Sequence, residues 1–182
     1  MGNGLLMQDK IKIGISSCLL GEKVRYDGGH KLDHYLTDLL GKYVEWVSVC
    51  PEVEYGLPVP REAMMLVGDP ETPRLVTRSS GVDHTEGMQT WAVKRLKELE
   101  SECLSGFIFK SNSPSSGYKG VTVYSSSGMP LHKGTGIFAG AFIKHFPHIP
   151  VVDEEGLHDP ELRENFIKRI FVFQQGTDFL RK

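Results

Sequence analysis

Cysteine is scarce in this chain: three residues in 182, at positions 18, 50 and 103, with no Cys-x-x-Cys pair. Few thiols, odd in number, exclude a disulfide-stapled secreted fold and set the expectation of a reducing compartment, the cytoplasm. The opening Met1-Gly2-Asn3-Gly4-Leu5-Leu6-Met7 is too short and glycine-rich for the apolar core of a secretory signal. No apolar run approaches the roughly 20 residues that span a bilayer, so no membrane is expected as a partner. A surplus of basic residues is lacking as well: 21 basic residues meet 23 acidic ones, for a formal charge of −2. That balance argues against a strongly basic nucleic-acid binder and leaves room only for a local basic patch. The seven histidines, 30, 34, 84, 132, 145, 148 and 158, form no His-x-His or His-Glu-x-x-His pattern, so they suggest no metal centre. Internal repeats and low-complexity tracts are absent too.

What is present is an ordinary globular composition, 40% hydrophobic and 24% charged, on a chain long enough to bury a real core. Residues 1–10 are expected to be an N-terminal tail, 11–155 an α/β domain, and 156–182 a C-terminal helix and tail of that domain. Lys12–Ser16, Tyr43–Val49, Gly106–Lys110 and Ile149–Val152 read as strands from their β-branched, aromatic or continuously apolar content. Leu75–Thr77 is a further short strand, and Val121–Tyr124 pairs with the Met129–His132 region across a Ser126-Ser127-Gly128 turn. Helical spacing runs from Leu32 to Leu40, with Gly41 as its cap, and over His84–Glu102 and Gly136–Phe146. Asp159-Pro160 opens the last helix, with aspartate as cap and proline in its first turn. Pro51 to Glu62 reads as a proline- and glycine-rich loop. Strands alternating with helices predict a three-layer α/β sandwich with a mainly parallel central sheet, Rossmann-like.

In such a sheet the site lies beyond the carboxyl ends of the strands. Cys18, Cys50 and the loop Ser113-Pro114-Ser115-Ser116-Gly117 each follow a strand, so parallel strands would deliver all three to one edge. Cys103 precedes the Gly106–Lys110 strand. A strand of about five residues at roughly 3.3 Å each puts it about 16 Å away, at the far edge, as a small buried apolar residue. Composition alone reads Cys18 and Cys50 as two buried thiols. Their place in glycine- or proline-bearing loops beside Asp27, Glu52 and Arg61 reads equally as a functional pair. The serine loop is either an ordinary polar turn or a cradle of hydroxyls and backbone N–H groups for an anion or carbonyl oxygen.

Several segments occur together in a known order: Ser17-Cys18-Leu19-Leu20-Gly21, Val24-Arg25-Tyr26-Asp27-Gly28-Gly29, Cys50-Pro51-Glu52-Val53, Gly56-Leu57-Pro58-Val59-Pro60-Arg61-Glu62 and Lys110–Gly117. In this the chain resembles the bacterial thiouracil desulfurase family over residues 10 to 155. The resemblance implies a desulfidase that exchanges the sulfur of a thiolated uracil or thiolated nucleoside for oxygen. It also implies a 4Fe–4S cluster on three cysteine thiolates, its fourth iron open to the substrate's sulfur. Carried over, Cys18 and Cys50 are metal ligands and Glu52 is the proton-transfer residue, with Ser113 beside it on the catalytic side. Arg25, Asp27, Arg61, Ser111, Ser115 and Ser116 are then substrate-binding candidates, with Lys110 also within reach of a phosphate or base edge. Simple family members read Ser-Pro-Ser-Cys-Gly where this chain has Ser-Pro-Ser-Ser-Gly, so Ser116 occupies the third-ligand position. A subgroup with that serine is linked by resemblance to 4-thiouridine in tRNA, making tRNA a possible partner. Two other readings stand beside this one: a nucleotide- or RNA-binding module of the same fold without turnover, and an enzyme using Cys18 or Cys50 as a metal-free nucleophile. Nothing in the sequence sets the oligomeric state.

Overall fold

The structure, a computed structural model, describes residues 10–180, so nearly all of the tail expected at 1–10 lies outside the described residues. In chain order, β1 (Ile11–Ser16) runs into a 3₁₀ turn (Ser17–Leu20), and a long loop leads to a π-helical turn (Tyr35–Leu39) and a second 3₁₀ turn (Leu40–Lys42). Next come β2 (Val44–Val49), α1 (Pro51–Tyr55), β3 (Met64–Val67), β4 (Arg74–Thr77), α2 (Thr85–Glu102) and β5 (Gly106–Phe109). The chain continues with β6 (Val121–Tyr124), β7 (Pro130–Gly134), α3 (Ile137–His145), β8 (Val151–Asp153), α4 (Glu154–His158) and α5 (Pro160–Leu180).

Four strands form a wholly parallel sheet in the order β2-β1-β5-β8. Side chains of β5 alternate between its faces, as strand geometry requires. Ile108 joins Ile13, Ile15, Leu36, Phe166 and Ile170 on one side. Phe107 and Phe109 join Phe138, Phe142, Leu96 and Leu99 on the other. Coverage of both faces explains why Gly106–Phe109 is buried throughout and reads as an unbroken apolar run. The rings of Phe107, Phe109, Phe138 and Phe142 pack on one another, each burial contributing about 1.5–3 kcal/mol.

A second sheet, ordered β4-β3-β6-β7, is mixed: β3–β4 and β6–β7 are antiparallel and β3–β6 is parallel. Sequence reading anticipated the β6–β7 hairpin and β4 but not β3, whose Met64-Met65-Leu66-Val67 carries few β-branched residues. The expected loop at 51–62 begins instead with helix α1, which has Pro51 at its start and Glu52 and Glu54 in its first turn. Proline stops the strand there, but it also favours a first helical turn. The helix expected over Leu32–Leu40 is present in non-α form, a π-helical turn at Tyr35–Leu39 followed by a 3₁₀ turn at Leu40–Lys42. It is started by Asp33 Oδ1, which accepts the N–H groups of Tyr35 and Leu36. Asp159 caps α5 as expected, accepting from the N–H groups of Glu161 and Leu162. Cys103 is far from the serine loop in chain direction, at the start of β5, but is exposed rather than buried. It ends α2 in the left-handed conformation, which turns it away from the core.

β1 leads to β2 on one side and lies next to β5, and then β8, on the other. Such a reversal of strand order leaves a crevice between the loops that leave β1 and β5. No helix among the described residues is long and apolar enough to cross a membrane.

Candidate active site

The crevice is a cavity of about 260 Å³, lined from the carboxyl end of β1 by Ser16, Ser17 and Cys18. Cys50 and Glu52 line it from the junction of β2 and α1, and Lys110 to Ser116 from the loop after β5. Arg25 and Arg61 close it from the segments between. The three loops inferred to meet do meet. Of the expected site residues, Asp27 alone is not part of the lining. Its Oδ1 accepts the Gly29 N–H at 2.9 Å, stabilising its own turn, and lies 3.7 Å from Arg25 Nε. The cavity falls just below the roughly 300–1,000 Å³ of pockets for drug-sized ligands, which suits something as small as a single base.

Each donor is fixed locally. The 3₁₀ turn bearing Cys18 ends at Gly21, and the Cys18 carbonyl accepts the N–H groups of Gly21 and Lys31. Cys50 is the residue before α1, and its N–H is held by Glu54 Oε1 at 2.9 Å. Burial pushes the Cys18 thiol up to about 11, against the opposing pull of the Lys110 and Arg25 charges. Burial also raises Cys50. Both are therefore thiols at neutral pH in the metal-free protein, and a thiol is a poor nucleophile. A metal ion takes up such donors by displacing their protons.

Glu52 sits on the first turn of α1 with both carboxylate oxygens engaged. Arg61 Nε donates to Oε2 at 2.7 Å, while the same guanidinium donates to the Val24 carbonyl at 2.8 Å. The Arg61 and Glu52 side chains are only 5% and 14% exposed, so Arg61 serves to orient Glu52 and the 24–26 loop and has little surface left for substrate. Ser115 Oγ donates to Glu52 Oε1 at 2.9 Å. Ser113 Oγ lies 3.1 Å from Ser115 Oγ. Because Ser115 spends its one hydroxyl proton on Glu52, Ser113 is the donor of that pair. The result is a directed chain, Ser113 to Ser115 to Glu52.

The serine loop divides its polar groups between two neighbours. Its carbonyls serve the amino end of α3: Pro114 O accepts from Ile137 N–H, and Ser115 O from Phe138 N–H. Its N–H groups turn inward, Ser116 to Ser113 Oγ and Gly117 to Ser113 O. The backbone cradle considered from sequence is therefore corrected: the amides of Ser116 and Gly117 are spent within the loop, and hydroxyls face the cavity. Ser116 is 4% exposed, and its hydroxyl has no hydrogen-bond partner among the described residues. Sequence reasoning also missed the anchor beneath the loop. Lys110 Nζ donates to Glu154 and to Ser111 O, and the Ser111 N–H donates to Glu154 Oε2 at 2.8 Å. Glu154 lies at the start of α4, a helix with too few residues to show periodicity.

The sequence profile of the 2-thiouracil desulfurase family matches residues 13–154. The chain belongs to this family. Membership accounts for both cysteine loops and the serine loop, all of which fall within the matched span. An uncharacterised protein of Bacillus subtilis (strain 168), YbbK, is 32% identical over 151 residues, covering 80% of this chain and 97% of the relative. Among solved structures, the [4Fe-4S]-dependent thiouracil desulfidase TudS matches with a TM-score of 0.66 and 32% identity, over 86% of this chain and 97% of that one.

Proposed function

We propose that this chain is a desulfidase that replaces the sulfur of a thiolated uracil, as base or nucleoside, with oxygen. Balanced, C=S and water give C=O and hydrogen sulfide, with no net oxidation. The observation that carries the reading is the convergence of Cys18, Cys50 and Glu52 on one base-sized cavity in a member of the 2-thiouracil desulfurase family. A buried thiol, Cys18, a half-buried one, Cys50, and an unpartnered hydroxyl form a donor set that fits a [4Fe–4S] centre, which Cys18 and Cys50 would hold. When bound, that centre supplies an undercoordinated iron, and soft iron takes sulfur in preference to oxygen.

The chain's own residues handle the proton. Ser113 Oγ, at the open end of the hydroxyl chain, accepts a proton from water attacking the ring carbon. Ser115 passes a proton on to Glu52 Oε1, and Arg61 keeps that carboxylate in line. Arg25 is held only loosely, by Asp27 and the Tyr26 ring, so its guanidinium is placed to meet a base oxygen or a phosphate. Ser111, tied to Glu154, supports the floor rather than the substrate.

We further read the parallel sheet with its two covered faces as a Rossmann-like three-layer sandwich. Residues 11–155 and the helix after 156 then form one domain, because Phe166 and Ile170 pack against Ile13. Residues 113–117 support placement in the Ser-Pro-Ser-Ser-Gly subgroup. A thiouridine within tRNA would enter this cavity only as an unstacked base. Anaerobic iron–sulfur reconstitution followed by incubation with thiouracil tests the proposal: uracil and sulfide should appear together. Thiouracil bound and recovered unchanged would overturn it in favour of a binding module.

A further inference from the structure

Two thiols converge on the cavity, whereas a four-iron cluster with one open iron has three corners for the protein to hold. Among the described residues no third Cys, His, Asp or Glu joins them as a metal-binding group, and Cys103 is exposed elsewhere. Ser116 lines the same cavity from the third loop, is 4% exposed, and carries a hydroxyl with no partner among the described residues. The hydroxyl is not sealed into the core, so it is open to whatever the cavity holds. The loop holds the residue firmly: the Ser116 N–H is bonded to Ser113 Oγ at 3.0 Å. A Cβ on Gly117, the next residue, would lie 2.4 Å from Val121 Cγ2 and 2.8 Å from the Ser113 carbonyl, so the turn admits only glycine there.

We infer that Ser116 Oγ is the third protein ligand of the cluster, giving this chain a two-thiolate, one-alkoxide centre. This rests on the proposed desulfidase reading and goes beyond it. On binding iron, the hydroxyl gives up its proton to solvent, as metal-bound water does. Ser17 also lines the cavity, but it directly precedes Cys18 in a 3₁₀ turn, where successive side chains diverge by about a third of a turn. Ser17 is as buried as Ser116, at 3% exposed, so it serves as the comparison that separates a ligand from a serine that merely lines the cavity. Oxygen is a harder donor than sulfur and favours the oxidised cluster, and ligand identity is one of the levers that set cluster potential.

The experiment compares wild type, Ser116→Ala, Ser116→Cys and Ser17→Ala, each reconstituted anaerobically with iron and sulfide. Iron and sulfide per chain and the cluster's midpoint potential are measured, and far-ultraviolet circular dichroism of the metal-free proteins controls for folding. Wild type and Ser17→Ala should hold four irons, and Ser116→Ala no more than half of that. Ser116→Cys should hold four at a more positive potential. Equal iron and equal potential in wild type and Ser116→Ala would overturn the inference. So would an iron-free wild type beside a four-iron Ser116→Cys, which would leave the desulfidase chemistry of the family intact but absent from this chain. If neither wild type nor Ser116→Cys held iron, the cluster reading itself would fall, and this inference with it.

Discussion

Ser115 is the residue on which the proton chemistry turns, because its single hydroxyl links Ser113 to Glu52. Ser115→Ala removes the link but leaves the Arg61–Glu52 pair and both cysteines in place. General acid–base groups contribute about 10²–10⁴-fold, so kcat should fall by roughly 10²-fold with iron content unchanged, as steady-state kinetics beside iron analysis would read. A drop in iron content in step with kcat would assign Ser115 to holding the site instead. The cysteines give a pH signature in the metal-free protein. Burial raises Cys18 to about 11, so below that pH the thiol predominates and the reactive thiolate is the minority form. Alkylation of Cys18, followed by peptide mass spectrometry, should be slow at pH 7, rise about tenfold per pH unit and level off only near 11. The exposed Cys103 provides an internal reference.

Among the elements, the pairing of the serine loop with α3 deserves the closest test. The amino end of α3 donates its N–H groups to the loop's carbonyls, which satisfies groups any helix leaves open there and fixes the loop. A Cβ at Gly136 would stand 2.7 Å from the Ser115 carbonyl carbon and oxygen, against backbone that cannot swing aside. Gly136→Ala should cost about 1–3 kcal/mol, the usual penalty for overpacking, measured by urea denaturation. Because the strain falls on Ser115, activity should drop with it. This dependence was not legible in the sequence, where Gly136 read only as the start of a helix. Nor was α1 legible: Pro51 signalled the end of β2, and its second role as the first helical residue emerges only once Glu52 is seen facing the cavity. By contrast β5 was clear as a continuously apolar run buried on both faces, and β2 was clear from its β-branched and aromatic content.

At the scale of the whole molecule, the site is a consequence of strand order. Parallel pairing of β1 with both β2 and β5 sends the Cys18, Cys50 and Ser113–Gly117 loops to one sheet edge. That convergence followed from sequence once the strands were taken as parallel. The second, mixed sheet did not follow, since β3 lies in a methionine-rich stretch and pairs with β6, more than fifty residues downstream. Asp27 illustrates the limit of motif reading: it stands inside Val24–Gly29, one of the runs that carry the family resemblance, yet it serves its own turn. Lys110 and Glu154 illustrate the converse, a contact between the ends of β5 and β8 that only the fold brings together. The central claim is that Cys18 and Cys50 act jointly in one sulfur-removing site. Its most direct test is sulfide released from thiouracil under anaerobic conditions by reconstituted wild type, Cys18→Ser and Cys50→Ser, with bound iron counted in the same samples. Wild type should release one sulfide per uracil formed, and both variants should lose iron and turnover together. Continued sulfide release by either variant at the wild-type rate would contradict the account.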